Sequence, residues 1–267
     1  MNLKDSLSYA LELASKLGAE KVEGIINESE KKELNIEAGK MSLFRTTFQN
    51  SLSIEAIKDD KQSSISINKI DKDSLDNSIK LLMNNVESSQ ADQANDISEI
   101  QDSEIFNKGN INANLNLMYD RLDEFNHYVK DNHNKIILEA AMLDHTSNTS
   151  HIMNTNGVDF QINKGIYNFS PMFTAKDGEK TSSFNYTYFS ALDLDQKIKN
   201  KSYLSELLHQ TEEQINTLPT KEKFVGSIIV TPHCLPDFLS FIESSIGDSA
   251  IISKSSIYKD KIGEKIA

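Results

Sequence analysis

The stretch Lys21–Ile67, KVEGIINESEKKELNIEAGKMSLFRTTFQNSLSIEAIKDDKQSSISI, decides the fold. Val22, Ile25, Leu34, Ile36, Leu43, Leu52, Ile54, Ala56, Ile65 and Ile67 follow the alternating spacing of half-buried strands, on which successive side chains point to opposite faces. Turn residues at Glu28–Lys32, Ala38–Lys40 and Lys58–Gln62 divide the stretch into antiparallel strands joined by hairpins.

On its N-terminal side, Leu3, Leu7, Ala10, Leu11, Ala14 and Leu17 recur at helical spacing, and Gly18 follows as a C-terminal stop. On its C-terminal side, Asp71–Ser74 opens a second helix with Leu75, Ile79, Leu82, Met83 and Val86 on one stripe. Ser88–Asn110 is polar and acidic and is expected to link two units. A third helix near Ile111–Asn132 carries Leu115, Met118, Leu122, Phe125 and Val129. Strands are expected at Lys135–Leu143, His151–Asn154, Val158–Tyr167, Met172–Ala175 and Ser182–Phe189. Thr155–Gly157 and Lys176–Gly178 are the hairpin turns, because Asn, Asp and Gly tolerate positive φ. Ser202–Leu218 reads as a helix ended by Pro219. Phe224–Thr231 reads as a buried strand, and Leu235, Phe238, Leu239 and Ile242 as the core face of a short helix.

The order predicts an α+β fold rather than alternating βαβ units. Residues 1–90 form an N-terminal helix, antiparallel sheet and helix, and residues 91–110 a linker or long loop. Residues 111–267 form a larger, mostly antiparallel β domain with flanking helices.

The chain has 267 residues and a net charge of −12. That charge argues against a nucleic-acid surface, which needs clustered Lys and Arg. Cys234 is the only cysteine, so no intramolecular disulfide forms, consistent with a reducing compartment. Met1–Leu7 lacks the apolar core of a signal peptide, and no run of about 18 apolar residues predicts a membrane span. The cytoplasm is the expected compartment.

None of the six histidines forms the His-Glu-x-x-His arrangement that binds zinc from one helical face. His127 and His133 are expected to be solvated, His145 and His151 to flank a loop at Thr146–Ser150, and His209 to lie on a surface helix. Asp193, Asp195, Glu212 and Glu213 read as solvated carboxylates. His233 and Cys234 adjoin, and an imidazole with a thiol can ligate metal or pair as base and nucleophile. Adjacent helical residues point about 100° apart, however, and rarely converge on one ion. The favoured reading there is a helix start with Pro236 in its first turn. No G-x-G-x-x-G or Walker pattern can be drawn.

Several ordered segments resemble the TldD/PmbA family. Ala10–Glu20 and Ser42–Ala56 resemble its N-terminal domain, and Asn154–Val158 with Asp177-Gly178 its "N-S-x-G" strand region. Val225–Pro232 resembles its central strand, and Ser255–Ala267 its "S-x-x-x-x-K-x-G" segment. The resemblance covers essentially the whole chain. It implies a cytoplasmic, zinc-dependent peptidase system that trims unstructured peptides and pairs a catalytic subunit with a metal-free one. The catalytic type carries His-Glu-x-x-x-His just after the central strand, with the Glu activating water.

Pro232–Asp237 occupies that place here. In one register Pro232, His233 and Asp237 stand where the family has His, Glu and His; in the next, His233, Cys234 and Phe238 do. Neither leaves a zinc pair with a general base. The resemblance is therefore to the PmbA/TldE type, with no catalytic residue, no metal ligand and no cofactor of its own, and zinc in the catalytic partner. Should that reading fail, His233, Cys234 and Asp237 are the candidate ligands. The expected partners are a TldD-like catalytic subunit or a second copy of the chain, together with an extended peptide. Family members continue beyond the Lys261–Glu264 segment, so the C-terminal domain is expected to be incomplete here and the chain to self-associate. Two rival readings are a metallopeptidase with unconventional ligands near His233 and a non-enzymatic interaction module.

Overall fold

The computed structural model describes residues 2–219, 223, 225–232 and 234–265. Its contacts divide the chain into two units, Met1–Thr217 and Leu218–Ala267. The first unit is α+β and is organised by one mixed sheet.

Helix α1 (Leu3–Lys16) precedes three antiparallel strands, β1 (Lys21–Glu37), β2 (Lys40–Lys58) and β3 (Lys61–Ile67), and helix α2 (Lys72–Ser88) follows them. Strand β4 (Glu104–Lys108) and helix α3 (Leu115–Asn132) lead into the long hairpin β5 (Ile136–Asn154) and β6 (Asp159–Asp177). Short strands β7 (Lys180–Thr181), β8 (Asn185–Tyr186) and β9 (Phe189–Ala191) precede a 3-10 turn at Ile198–Asn200 and helix α4 (Leu204–Glu213). The sheet order is β3-β2-β1-β5-β6-β4, with β7, β8 and β9 also paired along the outer side of β6.

Helices α1, α2 and α3 each begin where a side chain satisfies an orphan N–H. Asn2 Oδ1 accepts from Asp5 N at 2.8 Å, Asp71 Oδ1 from Ser74 N at 3.1 Å and Asn114 Oδ1 from Leu117 N at 3.1 Å. The apolar stripes then bury as their spacing predicts. Leu7, Ala10, Leu11 and Ala14 of α1 pack with Leu75, Ile79, Leu82 and Val86 of α2 on Val22, Ile26, Leu52 and Ile54. Met118, Leu122, Phe125 and Val129 of α3 pack with Leu204, Leu207 and Leu208 of α4 on Ile36, Leu143 and Phe169. Each fully buried aliphatic or phenyl side chain contributes about 1.5–3 kcal/mol.

By the alternation of the strands, the sheet residues of both clusters share one face. The two helical layers sit at its two ends, which leaves a polar waist between them. That waist explains two departures from the expected strand breaks. Glu28–Lys32 is no turn but the middle of β1, paired with Asn50–Thr46 and Thr149–His145. Thr146–Ser150 is likewise the middle of β5 rather than a loop. With no helix above them, both faces are polar there, and the alternation that betrays a strand disappears.

Both hydrophobic clusters draw on residues from either side of 91–110, Ile36 packing in the second and Met153 against the first, and β1 pairs with both β2 and β5. The 91–110 segment is itself tied down. Lys21 Nζ pairs with Asp96 at 2.6 Å, Asn154 Nδ2 donates to Ser98 O at 2.7 Å, and β4 runs parallel to Phe160–Lys164 of β6. Leu43, expected inward, is exposed: an irregularity at Asn35/Ile36 gives Met41 the inward place opposite Ile36.

The second unit contains helices α5 (Leu235–Ile246) and α6 (Asp248–Ile252). The expected buried strand at Phe224–Thr231 is not formed among the described residues, where Val225, Ile228 and Ile229 are exposed. No residue of α5 is buried, so Leu235, Phe238, Leu239 and Ile242 do not face a core. An apolar stripe is buried only when something packs on it. No helix among the described residues is long and apolar enough to cross a membrane.

Candidate functional site

The candidate ligands of the C-terminal segment are described only in part. His233 lies outside the described residues. Cys234 is the partly buried cap of α5 and Asp237 is exposed in its first turn. Among the described residues no three of His, Cys, Asp and Glu come together in a way that could hold a metal ion. No metal step is assigned to this chain.

The other histidines divide between surface and structure. His127 and His209 are exposed, beside Asp123 and Glu213. His133, expected in solvent, is buried with Nδ1 3.0 Å from Glu212 Oε2, because α4 folds back over the end of α3. Glu212 is thus a structural partner rather than a solvated carboxylate.

The strongest constellation lies on the sheet face opposite the helices. Arg45, Glu33, Asp144, Asn168 and Ser190 stand directly opposite one another on β2, β1, β5, β6 and β9, a row across five adjacent strands. Neighbouring strands are about 4.8 Å apart, so each side chain reaches the next. Arg45 Nη2 donates to Glu33 Oε1 at 2.9 Å and Oε2 at 3.1 Å. Lys31 Nζ lies 3.0 Å from Glu33 Oε2 and 3.5 Å from Asp144 Oδ2, bridging the two carboxylates. Thr146 Oγ1 and Asn168 Nδ2 each donate to Asp144 Oδ1 at 2.9 Å. Tyr188 and Ser190 then donate to Asn168 Oδ1 at 2.7 and 2.8 Å.

The acids lie beneath their cations. Glu33 and Asp144 side chains are 3% and 5% exposed, against 35% for Lys31 and 56% for Arg45. Burial pushes the Glu33 carboxyl up, but hydrogen bonds from Lys31, Arg45 and Asn35 outweigh it and hold it below the usual carboxylate range. Burial likewise works against the Lys31 ammonium, and Glu33 with Asp144 more than restore it, raising its pKa. A carboxylate so saturated with donors is a poor general base near neutrality. The row is suited to binding. It offers a guanidinium and an ammonium to an approaching carboxylate or carbonyl, and Tyr188 and Ser190 hydroxyls at its far end.

On the helix side, His145 locks a crossing of the chain. Its Nε2 lies 2.8 Å from Asn110 O, and its ring packs on Tyr167 at a 4.6 Å centroid distance. Tyr167 OH in turn accepts from Asn114 N at 3.1 Å. Burial, more than any other influence, lowers the His145 pKa, with Lys32 acting in the same direction and the Asn110 carbonyl opposing. The unfolded chain therefore takes up the proton first, and stability is lost as pH falls below about 6.5. His145→Gln is expected to reduce the loss of urea midpoint between about pH 6.5 and 5.5. His151, lowered mainly by burial, keeps part of that slope. An unchanged slope in the variant would refute the assignment to His145.

His151 faces a cleft of about 500 Å³ between Leu3, Lys4, Glu28, Asn50 and Ile70. It makes no hydrogen bond among the described residues, and the Lys4–Asp159 pair at 2.6 Å closes the adjoining hollow. Nothing in the cleft completes a catalytic pair for it.

Sequence reading missed the charged row. The polar alternation Lys31, Glu33, Asn35 is visible, but only strand register sets Glu33 against Asp144, which lies 111 positions away.

The fold is shared with solved structures. A protein described as a candidate modulator of DNA gyrase from Bacteroides thetaiotaomicron matches with a TM-score of 0.76 at 19% identity, over 99% of this chain and 61% of that one. TldE from Thermococcus kodakarensis matches with a TM-score of 0.65 at 13% identity, over 81% of this chain and 49% of that one. A candidate DNA gyrase modulator from Thermotoga maritima gives 0.56 at 14% identity, over 81% and 50%. The chain thus spans about half to three fifths of the length of these structures. No protein-family model and no curated protein matches it. The α+β architecture implied by the TldD/PmbA resemblance is the one observed.

Proposed function

We propose that this chain is a PmbA/TldE-like subunit of a TldD/PmbA-type metallopeptidase, non-catalytic itself, acting in proteolysis and peptide maturation in the cytoplasm. The observation that carries the reading is the likeness in fold to TldE over 81% of the chain, joined to the resemblance that sets Pro232–Asp237 where the catalytic type has His-Glu-x-x-x-His. In this reading a TldD-like partner supplies zinc and water activation. This chain holds an extended peptide against the row from Arg45 to Ser190. Peptide carboxylate and carbonyl groups accept from Arg45 and Lys31, while Tyr188 and Ser190 meet the peptide's polar groups at the other end.

Two measurements test it. Calorimetric titration of the chain alone with zinc is expected to show no stoichiometric tight site; one tight zinc per chain would overturn the non-catalytic assignment. In the assembled peptidase, Arg45→Ala is expected to raise KM about tenfold with little change in kcat, the size of one charge-assisted hydrogen bond made partly in water. An unchanged KM would remove the row from peptide binding.

A further inference from the structure

The two edges of the sheet are finished differently. Along β6 the outer side is tiled by β4, β9, β8 and β7. On the other edge β3 covers β2 only from Leu52 to Lys58, and no described strand pairs with the outer side of Lys40–Ser51. This free edge carries two exposed phenyl rings on its helix-side face, Phe44 at 56% and Phe48 at 72%. It contains no proline, and no acidic residue lies between Glu37 and Glu55 in a chain of net charge −12. Proline and acidic side chains, two of the usual protections against pairing with another strand, are missing from it.

We propose that β2 pairs antiparallel, through Leu43–Gln49 of its free edge, with the same segment of a second copy, about a two-fold axis at Thr46, joining two sheets into one. The side chains choose this register among those the free edge allows. It sets Phe44 opposite Phe48 of the second copy, and Phe48 opposite Phe44, as two aromatic cross-strand pairs on one face. Arg45 falls opposite Thr47. A register centred on Arg45 would oppose two guanidinium groups, and one centred on Thr47 would set both rings against Asn50 and Thr46. The absence of acids here lets two negatively charged chains approach where their repulsion is least. The four rings supply roughly 500 Å² of the about 1,200 Å² that a stable interface buries, and the paired strands and their flanks supply the rest. The two-fold axis is perpendicular to the sheet, so the two charged rows lie on the same surface of the joined sheet. The pairing does not depend on the peptidase reading.

Sedimentation of the purified chain from about 1 to 100 µM is expected to show a monomer–dimer equilibrium, because micromolar dissociation constants are titrated over that range. Phe44→Lys/Phe48→Lys and Phe44→Glu/Phe48→Glu are each expected to be monomeric, and an equimolar mixture to recover a 1:1 heterodimer. Both sites are exposed, so each variant keeps the wild-type circular dichroism. With Cys234→Ser, Thr46→Cys is expected to form an interchain disulfide on oxidation, since paired antiparallel Cα atoms lie about 4.5–5.5 Å apart. Asn50→Cys, eight residues out of register with its counterpart, is not. A wild-type chain that stays monomeric throughout, a mixture that does not associate, or equal crosslinking at 46 and 50 would each overturn the proposal.

Discussion

Gly165→Ala is expected to lose at least about 3 kcal/mol of stability, the upper range for forcing atoms into a packed site. A Cβ at Gly165 would lie 1.9 Å from Asn110 O, 2.4 Å from Asn110 C and 2.9 Å from Ile111 N. All three are backbone atoms, so no side chain can swing away. Here the segment leaving β4 crosses β6 toward the helix side and delivers α3. Gly109 faces the same contact from above, where a Cβ would meet Gly165 O at 2.1 Å. Pushing the strands apart would also break the bond between His145 and Asn110 O, and with it the anchor of α3. For a unit of this size the loss corresponds to roughly a 10 °C fall in Tm. Gly178→Ala is the control: nothing lies within 4 Å of its Cβ, and only its positive φ of 62° opposes the change. It is expected to cost about 1 kcal/mol. Scanning calorimetry of both variants decides the matter, and a Gly165→Ala melting point within a degree or two of wild type would show that the crossing yields.

Lys31→Met is expected to destabilise the protein by about 2 kcal/mol at pH 8, and by much less at pH 5. Breaking a buried ion pair costs about 3–5 kcal/mol, and the partial exposure of Lys31 lowers that figure. Without the ammonium, two buried carboxylates on adjacent strands share the partly exposed Arg45. One of them is then driven to take up a proton at a higher pH than an ordinary carboxylate. In the wild type the sign is the opposite. Glu33 is held below its ordinary value, so its contribution is full above about pH 4.5 and is lost as pH falls through the depressed value. The raised Lys31 pKa adds a contribution lost only in strong alkali. Variant and wild type should therefore converge in acid. Urea unfolding at pH 8 and pH 5 measures this, and an equal gap at both would mean that Lys31 contributes packing rather than charge.

Much of the local structure was legible from spacing. Leu7 to Ala14, Leu75 to Val86 and Met118 to Val129 bury as their helical stripes predict. The turns at Ala38–Lys40, Lys58–Gln62, Thr155–Gly157 and Lys176–Gly178 fall where their residues place them. The waist was not legible, because a strand with polar residues on both faces has no two-residue signal. The apolar run of α5 was read as a core face, but hydrophobicity reports what could be buried and not what covers it.

The sequence by itself determined the α+β class, helices α1 to α5, most turns and the absence of a His-Glu-x-x-x-His pattern. These rest on residue type and on neighbours within a turn or two. Only the tertiary structure decided that β1 joins both halves in one sheet, that Glu33 meets Asp144 beneath Lys31 and Arg45, and that β2 keeps a free edge at Lys40–Ser51. Those features depend on strand register and sheet order, which arise when residues more than a hundred positions apart pair, and no local spacing encodes them.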